Sequence, residues 1–120
     1  MVILNNDRPV EYGDPKKEGA PKFVKNHITP LELLEGAGRL FSVIDVPAGS
    51  QIPDHYHHGE YEVYFMTKGE GDYNDNGTIV KLKAGDVAYC PDGELHGLAN
   101  NSDEELSFIA FVGFPNEARK

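Results

Sequence analysis

The chain has no tryptophan and a single cysteine, Cys90, so no disulfide within it can support the fold. One thiol is compatible with a reducing compartment. No run of about 18 apolar residues occurs, so no membrane-spanning helix is expected. The segment Met1 to Pro9 lacks the basic start and apolar stretch of a secretory signal, which makes the cytoplasm the expected location. Positive charge is scarce too: 11 lysines and arginines stand against 20 aspartates and glutamates, for a net charge of −9. Such a surface repels nucleic acid and anionic lipid, so neither is an expected partner. For most of these carboxylates, keeping the protein soluble is role enough. Arg39, Lys81 and Lys83 form no arginine cluster, and there is no glycine-rich phosphate loop.

With 120 residues, the chain is long enough for one domain with a core between two sheets. Residues 7–22 scatter Pro9, Gly13, Pro15, Gly19 and Pro21 among charges, so 1–22 reads as an N-terminal arm or loop. Phe23 to Ile28 reads as a strand. Thr29-Pro30-Leu31-Glu32 then carries a capping hydroxyl, a proline at the first helical position and a following glutamate. Gly36 and Gly38 close this helical turn near residues 30–35.

From Arg39 the pattern changes to short apolar runs separated by turn residues, the mark of a sandwich or barrel. The runs are Leu40 to Val46, Tyr61 to Thr67, Gly71 to Tyr73, Ile79 to Leu82, Val87 to Cys90, Leu95 to Ala99 and Leu106 to Val112. Asn76-Gly77 is a strong hairpin signal, because both residues tolerate positive φ. The expected class is all-β, with residues 23–120 as the barrel.

Four of the five histidines lie in two clusters within this region. His55 and His57 are two apart, so an extended segment turns both imidazoles to one face. Glu62 follows a turn at His58-Gly59-Glu60, which is expected to return the chain antiparallel and bring the carboxylate beside the rings. His96 comes from a later strand, after Pro91-Asp92-Gly93. Three imidazoles and a carboxylate suit a first-row transition metal with one or two positions left open.

The spacing Gly49, His55, His57, Glu62, Gly69 resembles the first motif of the cupin superfamily, and Gly85, Pro91, Gly93, His96, Asn100 resembles the second. The resemblance spans about residues 40–112 and implies a double-stranded β-helix, the cupin or jelly-roll barrel, with motifs at 49–69 and 85–100. It implies that His55, His57, Glu62 and His96 ligate one divalent ion: manganese, iron, nickel, zinc, copper or cobalt. It also implies a homodimer formed through sheet faces, with exchange of N-terminal strands.

Tyr64 and Met66 share the strand face of Glu62, and Tyr64 is the candidate catalytic residue, as hydrogen-bond donor or general acid. His58 falls off that face. Tyr89, Leu98 and Phe108 are further candidates for the cavity wall, and Cys90 reads as a small buried apolar residue. Val63 and Phe65, with Ile109 and Phe111, are expected on a second apolar face. The expected function is a small metalloenzyme acting on an oxygen-rich molecule (a sugar acid, ketoacid or enediol) as an isomerase, lyase, decarboxylase or dioxygenase. The alternative is a non-catalytic binding or sensor module.

Overall fold

Alternation of buried and exposed side chains organises the protein into two antiparallel sheets. The computed structural model describes residues 1–115. Its strands are β1 (Val10–Gly13), β2 (Phe23–His27), β3 (Gly38–Val46), β4 (Gln51–Tyr56), β5 (Tyr61–Lys68), β6 (Glu70–Asp75), β7 (Thr78–Lys83), β8 (Val87–Cys90), β9 (Leu95–Ala99) and β10 (Leu106–Gly113). A six-stranded sheet runs β1-β2-β3-β10-β5-β8, and a four-stranded sheet runs β4-β9-β6-β7. This is the expected double-stranded β-helix. No helix among the described residues is long and apolar enough to cross a membrane.

The inner faces meet in a core that includes Ile44, Val46, Met66, Leu98, Leu106 and Phe108. Burying each such side chain contributes about 1.5–3 kcal/mol against the entropy of ordering the chain. Asn76 and Gly77 both take positive φ, at 48° and 104°, and turn β6 into β7. Pro53 sits at a register shift in β4, an edge strand, where its missing N–H interrupts no ladder.

Three local expectations change. The helical turn is a 3-10 turn, Leu31–Leu34, with no side-chain cap, and the hydroxyl of Thr29 has no partner among the described residues. Pro30, extended at φ −65° and ψ 156°, takes the capping position instead of Thr29. The turn at 58–60 does not make a hairpin. β4 pairs with β9 and β5 with β10 and β8, so the chain crosses from one sheet to the other. Tyr89 is 55% exposed on the outer face and does not face the barrel interior, because its neighbours Ala88 and Cys90 take the inward positions.

Within residues 7–22 the structure adds β1, which pairs with β2 from Val10↔Asn26 to Gly13↔Phe23. The following loop is tied to the opposite sheet. Gln51 Nε2 donates to the Pro15 carbonyl at 2.8 Å, and Ser50 Oγ donates to the Pro21 carbonyl at 2.5 Å.

Candidate metal centre

The two sheets contribute from opposite sides. His55 on β4 and His96 on β9 are direct cross-strand neighbours in the four-stranded sheet. Glu62 stands at the start of β5, in the six-stranded sheet, and faces them across the barrel. His57 lies just past β4 in the crossing turn. Its backbone is held there: His57 N donates to the Glu94 carbonyl, and the His57 carbonyl accepts from Gly93 N at 2.8 Å. The Asp92 carboxylate accepts from Gly59 N at 2.7 Å, clamping one turn to the other. Gly93, at φ 90°, gives the second turn its shape.

The ligating atoms of His55, His57, Glu62 and His96 all lie within 4.8 Å of one another. His57 Nε2 is 2.9 Å from both His96 Nε2 and Glu62 Oε1, and His96 Nε2 is 3.0 Å from the same oxygen. Two donors about 2.1 Å from one ion and at right angles to each other stand about 3 Å apart, so these spacings fit a shared divalent cation. His57, Glu62 and His96 are buried, and His55 is partly so.

Each imidazole is held from behind through Nδ1, which leaves Nε2 for the centre. His55 Nδ1 donates to the Pro53 carbonyl at 2.7 Å, and His57 Nδ1 donates to Glu60 Oε1 at 2.7 Å. His96 Nδ1 and Tyr73 Oη are hydrogen-bonded at 2.9 Å. Such partners fix the tautomer and orient the ring, and ions of this type are held by rings so supported. Arg39 grips Glu60 with two hydrogen bonds, Nε to Oε2 at 2.5 Å and Nη2 to Oε1 at 2.6 Å. The guanidinium, followed by His57, outweighs partial burial and draws the Glu60 carboxyl down to about 2. Burial alone would raise Glu62, yet the facing His57 and His96 hold it below its ordinary value. The Glu62 carboxylate is the chief reason His57 is raised, whereas burial lowers His55.

Sequence reasoning placed Glu60 only in the turn before Glu62 and gave Tyr73 no role in the site. Alternation along Gly71 to Tyr73 signals an inward Tyr73, but nothing local shows that β6 lies beside β9, which is what brings it to His96. Tyr64 is 2% exposed and packs against Phe108 at 4.2 Å and His96 at 5.0 Å between ring centroids. Burial, then the nearby Glu62 charge, pushes its hydroxyl well above the usual phenol range. No described residue hydrogen-bonds that hydroxyl, and Tyr64 lines a cavity of about 370 Å³ with His55, His57 and Glu62. Met66 lies inward on the same strand face, as expected, and His58 is exposed and stacks on Tyr56 outside the cluster.

A family model described as the cupin domain matches residues 42–112. The chain belongs to the cupin family. Among relatives of this cupin, an oxalate-binding protein of Thermotoga maritima is 33% identical over 112 residues, 93% of each chain. The crystal structure of a predicted oxalate decarboxylase from Thermotoga maritima superposes with a TM-score of 0.86 at 32% identity, covering 96% of this chain and 100% of that one. An uncharacterised double-stranded β-helix protein of Klebsiella pneumoniae gives a TM-score of 0.68 at 23% identity over 96% of this chain and 90% of its own, a likeness of fold alone.

Proposed function

We propose that this cupin is a metalloenzyme that holds one divalent transition metal on His55, His57, Glu62 and His96 and acts on a small carboxylic acid rich in oxygen, oxalate or a 2-oxo acid. The observation that carries the reading is the convergence of four candidate ligating atoms, each ring oriented through Nδ1, with His55, His57 and Glu62 at the wall of a cavity. The names of the two Thermotoga maritima proteins support a carboxylate ligand. The ion, when bound, supplies a Lewis acid for chelated substrate oxygens.

The chain's own residues do the rest. Glu60 and Arg39 keep His57 in place, and Tyr73 does so for His96. Apolar neighbours limit water at the cluster. Tyr64 stays protonated, so it donates a hydrogen bond to a substrate oxygen and stabilises charge that develops there. It is the proposed catalytic residue.

Burial holds the Tyr64 hydroxyl protonated and so disfavours proton transfer from it, which favours one second reading, a module that binds its ligand without turning it over. Y64F separates the two. For an enzyme, Y64F retains metal and ligand binding but loses about 10²-fold or more in turnover, as removal of a placed donor does. Stoichiometric oxalate binding with no turnover of oxalate or any 2-oxo acid would establish the binding module. Oxygen uptake by the iron-loaded protein would identify a dioxygenase. For the ligand assignment, H57A should abolish metal by elemental analysis while leaving the β-sheet circular dichroism intact; full occupancy would refute it.

The outer face of the six-stranded sheet supports a homodimer. Phe65, Val87 and Tyr89 are 44%, 61% and 55% exposed there, beside Val63, Ile109 and Phe111. A contiguous apolar face of this kind commonly meets another protein surface. Sedimentation equilibrium showing only monomer would overturn it.

A further inference from the structure

The cavity is larger than oxalate needs. Its volume is about 370 Å³, in the range of roughly 300–1,000 Å³ that holds drug-sized ligands. Oxalate has only six heavy atoms and no apolar part. The wall beyond the metal cluster, however, is apolar: Phe23, Leu40, Ile44 and Ile52 line it.

The far end of that wall carries a cation. Lys25 lines the cavity from β2, next to Ile44 in the register of β2 with β3. It is half-buried, and no described carboxylate forms an ion pair with it. Glu11, opposite it on β1, bonds His27 Nε2 at 3.0 Å, and that bond, then the nearby Lys25 charge, holds its carboxyl below the ordinary value. The other cations at the cavity are already used. Arg39 is committed to Glu60, and Lys16 reaches Asp14 at 3.7 Å on the exposed loop. Of the acids facing this space, Glu62 belongs to the metal cluster, and Asp54 accepts from Asn74 at 3.0 Å.

The sheet order sets the separation. From β5, which carries Glu62 and Tyr64, the neighbours are β10, β3 and β2 in turn. Three inter-strand spacings of about 4.8 Å place β2 roughly 14 Å from β5 across the sheet, and Lys25 lies in the row of Ile44, Phe108 and Met66, four residues of about 3.3 Å each along the strands from the row of Glu62. The Lys25 and Glu62 side chains line the same cavity and span part of that separation. Curvature of the barrel shortens it further.

We propose that the site selects a two-ended anion: an oxygen-chelating 2-oxo acid head at the metal cluster, an apolar spacer on Phe23, Leu40, Ile44 and Ile52, and a terminal carboxylate at Lys25. This rests on the metal reading above and names the substrate class within it. A half-buried ammonium that no described carboxylate contacts directly rewards a carboxylate that shares its desolvated surroundings, because a hydrogen bond between charged groups is stronger there than in water.

Calorimetric titration of the metal-loaded protein with 2-oxoadipate, 2-oxohexanoate and oxalate tests it. The first two differ chiefly in the terminal carboxylate. Wild-type protein is expected to bind 2-oxoadipate about tenfold more tightly than 2-oxohexanoate. K25M should remove that preference while leaving metal content and 2-oxohexanoate affinity unchanged. Equal affinities in wild type, or an equal loss for both acids in K25M, would overturn the selection by Lys25 and leave the metal reading standing. Tighter binding of oxalate than of both tailed acids would do the same. Protein that takes up no stoichiometric metal would overturn the metal reading, and this one with it. The wild-type comparison decides the matter even if K25M fails to fold.

Discussion

Glu60 acts on the proposed metal through His57. Its carboxylate accepts a hydrogen bond from His57 Nδ1–H and is gripped by Arg39. E60Q keeps the shape but removes the charge that holds both partners, so metal affinity should fall about 10–100-fold, read by competition with a chelator. An unchanged affinity would show that the Arg39–Glu60 pair is only a surface contact. The pair also has a pH signature. The folded value of about 2 lies below the usual 4.5, so its contribution is complete above about pH 4.5 and is lost as pH falls toward 2. The Glu60 carboxyl resonance should therefore titrate near 2; a midpoint near 4.5 would contradict the geometry. Cys90, raised to about 11 by burial and then by the charges of Glu62 and Glu94, carries almost no thiolate at neutral pH. Native protein should react with a thiol reagent only on unfolding, and rapid labelling would contradict its burial.

At the scale of elements, β4 and β9 form the platform that sets two of the ligands side by side. Their approach depends on Gly97. A methyl group there would clash with the Asp54 side chain and stand 3.0 Å from the Asp54 backbone N and Cα. G97A should therefore push β4 off β9 next to His55 and His96, costing about 1–3 kcal/mol in denaturant unfolding. Because the displacement falls at the ligands, metal affinity should drop with it. Stability equal to wild type would show that β4 yields freely. The extent of most strands was legible in the sequence, because apolar runs between glycine- and asparagine-rich turns report a pleated, half-buried surface. β1 was not, since Val10 to Gly13 is short, exposed and flanked by Pro9 and Pro15, and only pairing with β2 makes it a strand. The Thr29 cap was misread because the capping motif does not reveal that Pro30 takes the cap position of a 3-10 turn.

For the whole molecule, the proposed metal would cross-link the two sheets as well as form the proposed reactive centre. β4 and β9 meet β5 at this point, with three rings and a carboxylate in the interior. An ion that binds the folded state alone stabilises it by about 4 kcal/mol when present at a thousand times its Kd. Chelation should therefore lower the Tm, and readdition of the ion should restore it. A Tm indifferent to chelation would speak against an ion shared by the two sheets.

The sequence by itself determined the type of fold and the four converging residues, because glycine, proline and asparagine at turns and alternation along strands are local constraints. The cluster was legible for the same reason: His55, His57, Glu62 and His96 each stand at a set distance from a turn. Tertiary structure decided which sheet each ligand comes from and what stands behind it. The turn at His58-Gly59-Glu60 reads the same whether it closes a hairpin or crosses the barrel. Only the competition among strands for partners sends β4 to β9 and β5 to β10. That choice opposes Glu62 to the rings, brings Tyr73 to His96, and sets Lys25 across an apolar wall from the cluster. These are long-range pairings, and no local pattern records them.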